Sequence, residues 1–345
     1  MLKRTDAKRL GGSVGATTAA PVTFVFYLVP NFSLIAFANA VEPLRLANRH
    51  LARRAYAWRV ASRDGQGEMA SNGVEVKAET SLAEERSRSS NERPDYVFIC
   101  TGINVERTDT RALKPWLRQL SADKVTIGGL CTAAWVLADT GLLDGRRCAI
   151  HWDAMPAFHE HFPEVEVHAD LYEVSGNVWT CAGGTAALDM ILSIVQADHG
   201  ETVATRVCEQ CLADRVRRSR DRQRLPMRAK LGLQNAKLMF VVELMEANVE
   251  EPLSLVELAG YVNLSRRQIE RLFRQGVGMS PARYYLEIRL DRARHLLLQS
   301  TMPVVDIAVA CGFVSASHFS KCFREVYGQS PAEMRMQHDR EALCI

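Results

Sequence analysis

Apolar positions along the chain fall into two regimes. Residues 22–29, Val-Thr-Phe-Val-Phe-Tyr-Leu-Val, form a continuous apolar run of strand length, and helical spacing follows from Ser33 to Asn48. Similar runs recur at Tyr56–Ser62, Tyr96–Cys100 and Val125–Gly128, with helical segments at Thr132–Thr140 and from about Thr185 to His199. Strands without polar alternation are buried on both faces, and strands alternating with helices predict a mostly parallel α/β sheet. From Leu238 onward helical spacing alone remains, which predicts an all-α second domain.

That second domain repeats itself. Leu258-Ala-Gly-Tyr-Val-Asn-Leu-Ser-Arg-Arg-Gln-Ile-Glu-Arg-Leu-Phe-Arg-Gln-Gly-Val-Gly-Met-Ser-Pro281 returns as Ile307-Ala-Val-Ala-Cys-Gly-Phe-Val-Ser-Ala-Ser-His-Phe-Ser-Lys-Cys-Phe-Arg-Glu-Val-Tyr-Gly-Gln-Ser-Pro331. Phe273 pairs with Phe323, Arg274 with Arg324, Gly278 with Gly328, and Ser280-Pro281 with Ser330-Pro331. Each copy reads as a helix, a tight turn and a second helix. Ser254 with Glu257 and Ser265 with Gln268 have capping-box spacing, and Pro281 and Pro331 stand where a first helical turn tolerates proline.

In the second helix of the first copy, Ile269, Leu272 and Phe273 form an inward stripe, leaving Arg266, Arg267, Glu270, Arg271 and Arg274 outside. In the second copy Phe319, Cys322 and Phe323 face inward, leaving Ala316, Ser317, His318, Ser320, Lys321 and Arg324 outside. One such stripe is ordinarily a solvated face. Duplication with the same turn and caps points instead to double-stranded DNA, whose major groove accepts small, polar and basic side chains. Between the copies, Ala282 to Leu298 reads as one amphipathic helix with Leu286, Leu290, Ala293 and Leu297 on one side. At about 1.5 Å per residue it spans roughly 25 Å, enough to hold two reading heads near successive grooves about 34 Å apart.

Composition sharpens this division. At 345 residues the chain exceeds one ordinary core, and 47% hydrophobic with 24% charged residues is a globular balance. Net charge is only +3, but residues 201–345 hold 22 Lys and Arg against 17 Asp and Glu, so the polyanion partner belongs to the second half. Nine scattered cysteines favour a reducing cytoplasm over a disulfide framework, and no apolar run is long enough to span a bilayer. The expected organisation is a disordered tail over 1–20, an α/β domain over 21–200, a helix and basic linker over 201–236, a DNA-binding domain over 237–337 and a tail from 338 to 345. The linker carries seven arginines and one lysine between Arg215 and Lys230.

At the duplicated residues, over about 236–336, the chain resembles the AraC/XylS family. The stretch from Ala308 to Arg324, followed by Gly328-Gln-Ser-Pro331, carries the resemblance. It implies base-reading positions at Arg267, Glu270 and Arg271 in the first unit and at Ala316, Ser317, His318 and Lys321 in the second. It also implies RNA polymerase as a partner, and a homodimer is expected. Glu270, being acidic, would accept from a cytosine amine or steady a neighbouring arginine.

In the α/β half, Ile127-Gly-Gly-Leu-Cys-Thr-Ala-Ala-Trp135 puts Cys131 at a sharp strand-to-helix turn. Over about 21–200 the chain resembles the PfpI-type, glutamine-amidotransferase-like fold, with Cys131 at the nucleophile elbow; the two halves together resemble GlxA-type regulators. Enzymes of this fold supply a histidine directly after the cysteine and an acid after the first strand, whereas here those places hold Thr132 and Ser33, with Glu42 further along. The elbow therefore reads as degenerate and the domain as a sensor. The competing reading is a cysteine-dependent hydrolase, amidase or glyoxalase-like enzyme.

Asn31, Phe32, Cys131, Thr132 and Trp152 are the candidate ligand contacts. Phe32 and Trp152, joined by Trp135 or Trp179, are expected to enclose a cation beside Cys131. The Ser33–Asn48 helix and Arg220-Asp-Arg-Gln-Arg-Leu-Pro226 resemble regulators of glycine betaine, carnitine or arginine catabolism, which implies activation by a small quaternary-amine or amino-acid metabolite. Cys208-Glu-Gln-Cys211 and the four histidines between 151 and 168 have no matching second ligand group, so no metal or cofactor is expected.

Overall fold

The computed structural model describes residues 20–223 and 235–343, so most of the expected N-terminal tail, the later part of the basic linker and the last two residues lie outside the described residues. The strands are β1 Val22–Leu28, β2 Tyr56–Ser62, β3 Glu68–Met69, β4 Glu75–Val76, β5 Thr80–Ser81, β6 Tyr96–Cys100, β7 Thr126–Leu130, β8 Arg147–Ala149, β9 Glu166–His168, β10 Tyr172–Ser175 and β11 Val178–Cys181. Seven of them make one sheet in the order β10-β11-β7-β6-β1-β2-β5, parallel except for the β10–β11 pair. The helices of this half are α1 Leu34–His50, α2 Leu82–Ser87, α3 Leu113–Ala122, α4 Ala134–Asp139, α5 Met155–His161, α6 Ala186–His199 and α7 Glu201–Gln210.

Successive side chains of a strand point to opposite faces, and here both faces are covered. Phe24, Phe26 and Phe98 stack beneath α1 and α6, while Val25, Tyr27, Val97 and Ile99 face Trp116, Leu117 and Leu120 of α3. This double burial is why the central strands read as unbroken apolar runs. The predicted strands match within two residues. The β10–β11 hairpin, α3 and the small β8–β9 pair had no comparable signal, being short or interrupted by polar residues.

The start of the basic stretch is pinned to the domain. Main-chain N and guanidinium Nε of Arg217 donate to the buried carboxylate of Asp189 at 2.7 and 2.9 Å, and the Gln223 amide donates to the carbonyls of Ile150 and Asp170 at 2.9 and 2.8 Å. A free connection therefore cannot begin before Gln223.

The second half consists of α8 Ala236–Ala247, α9 Leu255–Tyr261, α10 Arg266–Gly276, α11 Pro281–Gln299, α12 Val304–Ala310, α13 Ala316–Tyr327 and α14 Pro331–Leu343. Helix α14 takes in most of the tail expected from 338. Ser330 and Glu333 cap it reciprocally, and Asp339 accepts from Arg107 of the α/β half at 2.5 Å, which favours continued helix.

The halves are docked. Leu290, Ala293, Leu296 and Leu297 of α11 belong to one continuous apolar cluster with Ala154, Ala157 and Phe158 at α5. Asp153 reaches from the turn before α5 to His295 and Gln299 of α11.

Candidate functional site

Helices α9–α10 and α12–α13 form the two helix-turn-helix units. The predicted capping boxes at Ser254/Glu257 and Ser265/Gln268 are both made, and Ser315 caps α13 by accepting from the His318 N–H. Each cap satisfies main-chain donors that a helix start leaves open, typically worth about 1 kcal/mol. Ile269 and Phe273 are buried under the first unit, as are Phe319, Cys322 and Phe323 under the second. Arg266, Arg267, Arg271, Ser317, His318 and Lys321 are exposed, with Ala316 and Glu270 half-buried. Of the two roles open to Glu270, the free chain adopts the steadying one, pairing with Arg266 Nε at 3.2 Å. His318 Nε2 lies 3.4 Å from the Cys322 sulfur.

Periodicity did not reveal what holds the units apart. Tyr285 of α11 bonds through its hydroxyl to the Asn248 carbonyl and accepts from the Leu253 N–H at 3.2 Å, gripping the approach to the first unit. One turn on, Arg289 donates to the carbonyls of Cys311 and Gly312 at 2.8 and 2.6 Å, and its guanidinium lies 4.1 Å over the Phe313 ring. This grips the turn of the second unit. Residues i and i+4 share a helix face, and here that face fastens both heads to one rod.

In the other half, Leu130 ends β7 and Cys131 turns the chain at φ 64°, a left-handed conformation that is costly for a side-chain-bearing residue. Gly183 packs directly against the elbow: a Cβ there would lie 2.8 Å from both Cα and Cβ of Cys131. A cavity of about 320 Å³ opens beside the elbow, within the range of small-molecule sites.

Cys131 and Thr132 line this cavity, and Asn31, Phe32 and Trp152 do not. Thr132 spends its hydroxyl on the Gly102 carbonyl at 2.6 Å and on Thr101. Asn31 bonds its main-chain N–H to Met69, and Phe32 is turned fully into the core against Phe37. Trp152 lines a separate groove between the halves, with its ring 5.5 Å from that of His295. Trp179 packs on Tyr96. The expected aromatic enclosure is therefore not assembled, and Trp135 is the one member of that set in the cavity wall.

The wall is acidic instead. Glu106, in the short helical turn after β6, has a side chain only 8% exposed, and its buried Oε1 makes no hydrogen bond; the guanidinium Nε of Arg107 is 3.5 Å away. Burial raises its pKa above the ordinary carboxylate value. Asp153 supplies a second carboxylate. Their separation in sequence, on loops with no repeating pattern, hid both.

The Cys131 thiol is pushed up to about 12 by burial, against the opposing bonds from the Thr132 main chain and Ser33. It is neutral near pH 7, and the hydroxyl beside it is a poor general base. Burial also lowers the pKa of His151, another wall residue, whose Nδ1 lies 3.3 Å from the Asp153 N–H.

Two capped helix-turn-helix units with basic outer faces, joined to an α/β domain carrying a ligand-sized cavity, define a DNA-binding transcription regulator. The Helix-turn-helix domain model matches residues 258–337, and the DJ-1/PfpI family model matches 34–197. The HTH-type transcriptional regulator GbdR of Pseudomonas aeruginosa is 41% identical over 315 residues, which are 91% of this chain and 84% of that one. CdhR of the same organism is 42% identical over 312 residues, 90% and 91% of the two chains. GlxA of Rhizobium meliloti is 36% identical over 311 residues, 90% and 94% of the two. The chain belongs to this family of AraC-type transcriptional regulators with a DJ-1/PfpI domain, and is a regulator rather than a cysteine enzyme.

Proposed function

We propose that the chain activates catabolic genes in response to a small metabolite that carries a cationic group, a quaternary amine or amino acid, taken up beside Cys131. The observation that carries this reading is the cavity wall: it holds the carboxylates of Glu106 and Asp153 and the ring of Trp135, and among the described residues no lysine or arginine lines it. Glu106 Oε1 lies 3.5 Å from the Arg107 guanidinium and makes no hydrogen bond, so it keeps acceptor capacity for a cationic group, which an indole ring in the same wall also favours. In this reading Arg267, Arg271 and Lys321 read base edges, with Arg266, Glu270, Ala316, Ser317 and His318 shaping the surface around them. A cytoplasmic homodimer that touches RNA polymerase completes the proposal.

Calorimetric titration of the full chain with glycine betaine, carnitine and arginine tests the ligand class. Heat with one of them, lost in Glu106→Gln, is expected; no heat with any of the three overturns it.

A further inference from the structure

The cavity wall is not made by the α/β half alone. Leu298 and Gln299, at the end of the rod that carries both reading heads, line it, as does His338 of α14. Asp153 is turned towards that rod: its Oδ1 lies 2.5 Å from His295 Nε2, and its Oδ2 accepts from the Gln299 amide. The imidazole is held from behind by its Nδ1, 2.7 Å from the Asp291 carbonyl. Glu106, the other acid of the wall, is followed by Arg107, which reaches across to Asp339 of α14. Both acidic groups of the cavity therefore stand at bonds that dock the DNA-binding domain.

We propose that the effector site is a composite of the two domains: Leu298, Gln299 and His338 form one wall of it, and the cationic group of a small effector bound there competes with His295 and Gln299 for Asp153. The proposal rests on reading the cavity as the effector site. Its physical content is linkage: a ligand that touches α11 and loosens its hold on Asp153 has different free energies in the docked and undocked chain, and docking shifts by the same factor. The signal would pass through α11, the helix on which Tyr285 and Arg289 set the spacing of the reading heads. No longer path is needed.

The test uses the full chain and two wall variants, Leu298→Ala and Gln299→Ala, with melting temperature as the check on folding. Alkylation of Cys131 by iodoacetamide, followed on the peptide that contains it, reports how closed the wall is without any ligand. Both variants should speed it about fivefold, the change in an opening equilibrium expected for loss of one such contact. Leu298→Ala should also weaken, by a similar factor, whichever of glycine betaine, carnitine or arginine the wild-type chain binds. Wild-type labelling rates in both variants, or unchanged affinity in Leu298→Ala, overturn the composite wall. Faster labelling with no heat from any of the three sustains the wall and overturns the ligand class instead.

Discussion

Gly312 is the position where a single methyl group should disturb the spacing of the reading heads. It sits in the turn of the second unit at φ 71°, and a Cβ there would lie 2.6 Å from the Val249 carbonyl oxygen, 2.7 Å from Pro252 Cγ and 2.8 Å from the Glu250 carbonyl oxygen. Two of those neighbours are main chain, in the loop leading to the first unit, so relief requires the units to separate. The left-handed conformation costs an alanine about 1 kcal/mol, and forcing atoms into a close-packed contact adds roughly 1–3 kcal/mol. Gly312→Ala should therefore lose about 3 kcal/mol. Gly328 is the control, with φ 76° and no heavy atom within 4 Å of its would-be Cβ, so Gly328→Ala should lose only about 1 kcal/mol. Urea denaturation of the full chain, followed by circular dichroism, separates the two. At equal folded fraction, Gly312→Ala should also lose more affinity for a two-site operator. Equal destabilisation in both variants would mean that the 249–252 loop yields freely, and the argument for a fixed spacing would fail.

Further outcomes follow from the same geometry. Arg271→Ala or Lys321→Ala should weaken specific DNA binding by about 1–3 kcal/mol in competition gel shifts, and unchanged affinity in both would remove the docking face. Arg289→Ala should destabilise the chain by about 2 kcal/mol, since two charge-assisted bonds and a ring contact are lost; a melting curve like the wild type would refute the clamp. Cys131→Ala should leave induction intact in a reporter assay, because the thiol is neutral; loss of induction that Cys131→Ser restores would show that the wall needs a polar atom at this position. Docking should depend on pH. Burial pushes Asp153 up, but His295, His151 and Gln299 bring it below its ordinary 3.8; burial pushes His295 down, but Asp153 and Asp291 hold it above its ordinary 6.5. The Asp153 contribution is thus present above pH 3.8 and lost as pH falls, while that of His295 is present below pH 6.5 and lost as pH rises through its raised value. Protection factors at α5 and α11, which are corrected for the intrinsic rise of exchange with pH, should fall above pH 6.5 in the wild type and not in His295→Gln; wild-type protection that does not change with pH would count against the pair.

Local order decided what could be read without a fold. The duplicated units, their serine caps and inward stripes depend on neighbours three and four residues away, so helix spacing displayed them directly. The central strands were legible for a similar reason: burial on both faces leaves an unbroken apolar run. Cys131 could be placed at an elbow from the glycines before it and the helix after it, and the missing partners around it were already visible as Thr132 and Ser33.

The cavity and the docking were decided only by tertiary structure. Phe32 and Trp152 are near the elbow along the fold, yet one side chain is drawn into the core and the other turned towards α11, and nothing in an aromatic residue's sequence neighbourhood fixes that choice. Glu106, Asp153, Gln299 and His338 come from four separate segments. Sequence determined the elements and the two reading faces, because those follow from short-range spacing. Which acids meet at the cavity, and that the DNA-binding rod closes it, depended on how the halves pack, since contacts between distant segments leave no period along the chain.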